Sequence, residues 1–284
     1  MVGMIYRKGF YIMKRFLLFL RKYPILTAVL AVLFSVVSIR TLRTESMWQV
    51  FVLRMLLCAS MSFMLYLVSD DRTLARYGDN TGRAIRTGIG FIVFALLVGI
   101  FGVLISVEKT PVDSIPVAFL TLFLAMMSVG LFEEITFRAI INDAVMRVFK
   151  NSRGVYVLSA LCSSLVFGGA HVIGAELTSA LMWLQAVLKT VSAGLFGLAL
   201  LFIYWKYRNI WACGIIHGLY DFCLSLSECF FVPGERASYV MEGQAGIATC
   251  WTYSILSVIS LVFLWFVWRK TLKGMDMKEL RENW

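Results

Sequence analysis

Proline and charge are both scarce in this sequence. Four prolines and 15% charged residues, against 60% hydrophobic ones, exclude an ordinary soluble domain. The six cysteines (Cys58, Cys162, Cys213, Cys223, Cys229 and Cys250) show no paired metal-ligand spacing, which argues against a cysteine zinc module and a disulfide framework. Most fall within apolar runs, where cysteine behaves as a small hydrophobic residue. There is no glycine-rich nucleotide loop, no repeat of fixed period and no low-complexity tract. No polar stretch is long enough to fold alone, and nothing suggests a nucleotide partner.

What the chain has instead is apolar length. About eight segments approach the ~20 residues needed to cross a bilayer. They are Tyr23–Ile39, Met47–Val68, Thr87–Ser106, Ile115–Ile141, Val155–Ala175, Leu181–Trp205, Ile210–Leu226 and Ala248–Trp268. The expected fold is all-α: a polytopic transmembrane helical bundle forming one integral-membrane domain over 1–284. The basic run before the first segment is too long for a signal peptide, and no small-residue cleavage site follows the apolar segment, so the first helix is expected to be retained. Tyr6 to Phe19 mixes basic and aromatic residues and suits either an interfacial helix or a simple charged anchor.

A formal charge of +10 raises nucleic acid as a partner, but the placement of the charges argues against it. On one side of the spans lie Arg7, Lys8, Lys14, Arg15, Arg21, Lys22, Arg72, Arg76, Arg83, Arg86, Arg147, Lys150, Arg153, Lys206, Arg208, Arg269, Lys270, Lys273, Lys278 and Arg281. The other side holds Arg40, Arg43, Lys109 and Arg236, while Arg54, Arg138 and Lys189 fall within spans. Twenty against four is a positive-inside bias that places both termini in the cytoplasm and supports an even number of spans. The basic surplus describes orientation and contact with the lipid bilayer, not a nucleic-acid site.

The informative residues are the ionisable ones inside hydrocarbon, each costing on the order of 3 kcal/mol even on mild scales. The fourth segment carries EEITFR, Glu133 to Arg138. Glu134 and Arg138 are four apart and share a helical face, whereas Glu133 points roughly 100° away and is free for other work. Two carboxylates in unlike surroundings can divide into a general base and a structural group. A charged helix end at the interface explains this pattern equally well. The fifth segment places His171 four residues after Phe167, beside Gly168 and Gly169, which permit close backbone approach. Alone, it reads as an interhelical hydrogen bond. The seventh places His217 and Asp221 on one face, with Gly214 and Gly218 as a small-residue packing ridge. A His–Asp pair can orient an imidazole or hold a metal, and two such residues in hydrocarbon favour function over a self-satisfied polar pair.

Taken in order on three helices, EExxxR, FxxxH and HxxxD resemble the CPBP family, the CAAX proteases and bacteriocin-processing enzymes also called Abi proteins. The resemblance covers Glu133 to Asp221, within a motif-bearing core at 115–226. It implies an intramembrane endopeptidase. Glu133 matches the family's general base, Glu134 with Arg138 the pair that orders that helix, and His171 the histidine sharing the water. His217 and the Asp221 position match the groups that stabilise the oxyanion. Peptide hydrolysis needs such a base, a positioned water and donors where charge develops.

One position departs from the family, where asparagine is frequent and this chain has Asp221. An ionised aspartate repels an oxyanion, so Asp221 is either protonated by burial, orients His217, or joins Glu133, His171 and His217 around a divalent metal such as zinc. Depth poses a second difficulty. On the segment boundaries above, Glu133 and His217 lie near inner ends, but His171 lies about 24 Å along its helix. The three meet if the fourth helix runs on through Arg147 and the fifth begins beyond the membrane plane. The leading expectation is therefore a protease acting on a peptide or membrane-protein substrate near the cytoplasmic face, in a bacterial cell membrane by the chain's short, loop-poor form. A non-catalytic scaffold or bacteriocin-immunity factor is the alternative that Asp221 keeps open. A metal or proton transporter ranks last, since it requires a further acidic track across the bilayer.

Overall fold

The computed structural model describes residues 2–42, 44–69, 73–76, 78, 80–152, 154–232, 239–276 and 278. Of the charges counted above, Arg43, Arg72, Arg153, Arg236 and Arg281 lie outside the described residues. The order of elements is α1 (Val2–Lys22), α2 (Pro24–Thr41), α3 (Met47–Val68), α4 (Thr81–Leu104), α5 (Ile115–Glu133), a π-helical segment (Glu134–Ile140), α6 (Ile141–Phe149), α7 (Val155–Ala170), α8 (Ala180–Tyr207), α9 (Ile210–Leu224) and α10 (Gly243–Thr271). Six of these helices, counting α5 through α6 as one, are long and apolar enough to cross a membrane, and α7 and α9 are shorter apolar helices. The eight apolar segments of the sequence correspond to these eight. The protein is an all-helical integral-membrane bundle.

Local chemistry starts several helices. Ser46, Ser179 and Asn209 cap α3, α8 and α9 through side-chain oxygens that accept from Gln49, Met182 and Ala212 amides. Proline opens α2 and lies in the first turn of α5, where a missing N–H costs nothing. The boundaries differ from the sequence expectation where hydropathy is a poor ruler. The fourth segment does not end at Ile141 but continues unbroken to Phe149, because Asn142, Asp143 and Arg147 find polar partners inside the protein. The fifth ends at Ala170 rather than Ala175, and the chain turns over residues 171–174, where Gly174 takes a positive φ of 74°.

These polar partners form a layer at one end of the bundle. Asn142 Oδ1 accepts from Ser159 Oγ and from Trp205 Nε1, both at 2.7 Å. Asp143 pairs with Arg208 at 3.3 Å and accepts from the Tyr204 hydroxyl at 3.2 Å. Asn209 donates to Thr81 Oγ1 and Arg147 Nη1 to the Val68 carbonyl, both at 2.8 Å. The ends of α3, α4, α6, α7, α8 and α9 are thereby tied together on the lysine- and arginine-rich side.

Above this layer the helices differ in length. Helices α7 and α8 run antiparallel, with Tyr156 against Trp205, Phe167 against Gly197 and Gly168 against the Thr190 carbonyl. Helix α8 therefore continues from Lys189 back to Ala180 beyond the end of α7, about 15 Å at 1.5 Å per residue. Helices α5 and α9 are also antiparallel, meeting at Gly130, Gly214 and Gly218 so closely that a Cβ at Gly130 would strike the Gly218 backbone. Gly168 is likewise pressed against α8, but Gly169 faces open space.

Candidate active site

The site is built where α5 changes its winding. All seven residues of the π segment are buried. A π turn leaves carbonyls mismatched with their usual α-helical partners, and one of them, that of Phe137, accepts from Ser163 Oγ of α7 at 2.7 Å. Glu133 is the last residue before the segment and Glu134 its first, so both carboxylates leave the helix at the point of irregularity.

Glu134 and Arg138 pair as their spacing predicts, with Arg138 Nε 3.2 Å from Glu134 Oε2 and both side chains fully buried. The guanidinium lies 3.6 Å from the ring centroid of Phe167, a cation–π contact in a desolvated setting. Its other flank is Gly197, where a Cβ would stand 2.5 Å from Arg138 Nη2. Phe167 thus does more than space the FxxxH motif. It is the platform on which the buried arginine rests.

Glu134 has a second partner that spacing could not reveal. His217 donates from Nδ1 to Glu134 Oε1 at 2.7 Å. The ring is held edge-on by Phe167 at 5.8 Å and Phe196 at 5.1 Å. With Nδ1 engaged, Nε2 points at two further carboxylates, Glu133 Oε2 at 3.7 Å and Asp221 Oδ2 at 3.5 Å. These separations exceed a hydrogen bond, so Nε2 remains available to an incoming group. Glu133 is not isolated, as its angular offset from Glu134 suggests, but faces the far side of the same imidazole. Its side chain is 16% exposed and that of Asp221 28%, whereas Glu134 is sealed.

His171 caps α7 at its short end. Its Nδ1 lies 2.9 Å from the Phe167 carbonyl, an acceptor, which places the proton on Nδ1 and leaves Nε2 as a lone-pair acceptor. The Phe167 and His171 rings are 4.7 Å apart, and the charge of Glu133 acts on His171. The depth difficulty resolves through the continuous helix. Because α5 and α6 together run to Phe149, α7 starts at the polar layer and reaches the level of Glu133 only at its last turn.

The structure therefore gathers Glu133, Glu134, Arg138, His171, His217 and Asp221 around one half-open centre. Sequence reasoning left out Phe196, stacked at 4.5 Å on Tyr220, and gave little weight to two cations already visible as charges within spans. Arg54 lies over Phe132 at 5.1 Å, and its charge acts on Glu133. Lys189 lies over Tyr239 and Tyr253. Glu133, His171, His217 and Asp221 carry the donor types of a zinc site. Among the described residues, however, no three histidine, cysteine, aspartate or glutamate side chains are disposed to hold a metal ion.

Residues 115–223 match the family model described as type II CAAX prenyl endopeptidase Rce1-like. This is a family of membrane proteases, and the match agrees with the resemblance carried by EExxxR, FxxxH and HxxxD. No curated protein and no solved structure matches the chain.

Proposed function

We propose that this protein is an intramembrane endopeptidase that hydrolyses a peptide bond with water activated by Glu133 and His171. The observation that carries this reading is the division of labour around His217. One nitrogen is fixed by a sealed, arginine-paired carboxylate, and the other is turned toward the only partly exposed carboxylates of the cluster. Water placed between Glu133 and His171 donates one hydrogen to the Glu133 carboxylate and the other to His171 Nε2. Its oxygen attacks the scissile carbonyl as Glu133 takes the first proton. In its imidazolium form His217 offers Nε2–H to the oxyanion that develops, while Glu134 keeps the ring oriented through Nδ1. Collapse of the tetrahedral intermediate breaks the C–N bond, and Glu133 returns its proton to the leaving amine. Arg138 acts through Glu134 as a positioning residue. The substrate is a peptide or membrane-anchored protein cut near the basic, cytoplasmic side, in a bacterial cell membrane.

The test compares wild type with Glu133→Gln at equal expression in native membranes, reading peptide termini by mass spectrometry. Removing a general base lowers turnover by roughly 10²–10⁴-fold, so termini specific to wild type are expected to vanish while the variant stays folded. The same termini are expected to persist after exhaustive chelation, because the proposed step uses protein groups alone; their loss and recovery with zinc would restore the metal route. Identical termini in wild type and variant would leave the non-catalytic scaffold as the function.

A further inference from the structure

Three carboxylates converge on His217, and their balance is uneven. Glu134 has Arg138 at 3.2 Å and Glu133 lies in the field of Arg54, whereas Asp221 faces the Nε2 side of the imidazole at 3.5 Å. An oxyanion forming at that face meets Asp221 as a like charge, which a desolvated setting makes costly. A cation supplied from another helix is needed to offset it.

Helix α8 supplies one. Lys189 is half-buried, with Nζ 4.8 Å from the ring centroid of Tyr239 and 5.5 Å from that of Tyr253. The Tyr239 ring is in turn 6.2 Å from that of His171, so Lys189 and His171 flank the same aromatic wall. Asp221 and Glu133 are the carboxylates within electrostatic reach of the Lys189 ammonium.

The wall is fixed with some care. Gln185, one turn before Lys189, is fully buried and donates to the Met241 carbonyl at 2.8 Å while accepting from the Met241 amide at 2.9 Å. The Tyr253 hydroxyl donates to the Tyr239 carbonyl at 3.0 Å. One face of α8 therefore holds both the clip for the Tyr239 segment and the ammonium that rests on it. Ring faces restrain a lysine without neutralising it, so the charge remains available to the site.

We propose that Lys189 is a positioning residue whose ammonium, cradled on Tyr239 and Tyr253, offsets Asp221 so that the Nε2 face of His217 can serve the oxyanion. This inference rests on the hydrolytic reading above. On this proposal Asp221 and Lys189 share one electrostatic role, and neither is needed for it without the other.

The experiment uses full-length protein in proteoliposomes and a synthetic peptide spanning a bond identified by the Glu133→Gln comparison. Lys189→Met is expected to lower kcat roughly ten-fold or more with KM changed less than about two-fold, the signature of an interaction felt only in the transition state. Lys189→Arg is expected to retain most activity, because charge and ring contact survive. The decisive variant is Lys189→Met combined with Asp221→Asn, expected to recover to within about three-fold of Asp221→Asn alone. Losses that multiply in the double variant, or a change confined to KM, overturn the proposal. If Lys189→Met does not accumulate, recovery of accumulation in the Asp221→Asn background supports the pair, and failure in both backgrounds overturns it. A wild type with no Glu133-dependent cleavage defeats the hydrolytic reading itself, and this inference with it; cleavage with independent losses defeats the Lys189 role alone.

Discussion

At the scale of single residues, Arg138 is the largest fully buried side chain among the described residues. Its guanidinium is fully buried between Phe167 and Gly197, with Glu134 as its counter-charge. Replacing Arg138 with Met removes the cation beside Glu134 and leaves His217 as the described partner of that buried carboxylate, and breaking such a pair costs about 3–5 kcal/mol. Gly197→Ala is the milder probe. Its Cβ must displace the guanidinium, for about 1–3 kcal/mol of overpacking. Both variants are expected to lower the thermal midpoint of the purified protein in detergent, Arg138→Met by more, and to disturb His217 through Glu134. The Glu134–Arg138 and His217–Asp221 pairs were legible as i, i+4 spacings, since helical geometry alone brings such residues together. The bond from His217 Nδ1 to Glu134 was not, because it joins residues 83 positions apart and depends on how α9 crosses α5.

At the scale of elements, the eight apolar helices followed directly from hydropathy, but their lengths did not. Nothing in EITFRAI distinguishes a π segment from ordinary α-helix by composition. The extra width of that turn is stabilised from outside, by Ser163 on the Phe137 carbonyl. The polar partners that carry α6 to Phe149 are tertiary in the same sense. The wall at Tyr239 is another such element, held by one buried glutamine. Gln185→Leu leaves both polar groups of Met241 without their partner, and each unmet group costs about 1–3 kcal/mol. Faster hydrogen exchange at the amides of residues 239–242 is the expected result, with exchange in α9 unchanged.

At the scale of the whole molecule, the proposed orientation is open to a direct check. On that proposal, eight crossings with the basic polar layer inward would put both ends of the bundle on the cytoplasmic side. Reporters fused at either end are expected to fluoresce in the cytoplasm and to show no periplasmic phosphatase activity. The reverse pattern would place the site near the opposite face.

The helix that carries Glu133 spans 35 residues, Ile115 to Phe149, about 50 Å at α-helical rise against a hydrocarbon core of about 30 Å. A rod so much longer than its slab answers mismatch by leaning, and the lean changes with the thickness of the surrounding lipid. Helices α7 and α9, which present His171 and His217, are only 16 and 15 residues long, so mismatch acts on them differently. On the proposed hydrolytic reading, acyl-chain length is then expected to act on the site through the lean of the helix that carries Glu133. Turnover measured across vesicles of graded acyl length is expected to pass through a maximum rather than follow fluidity.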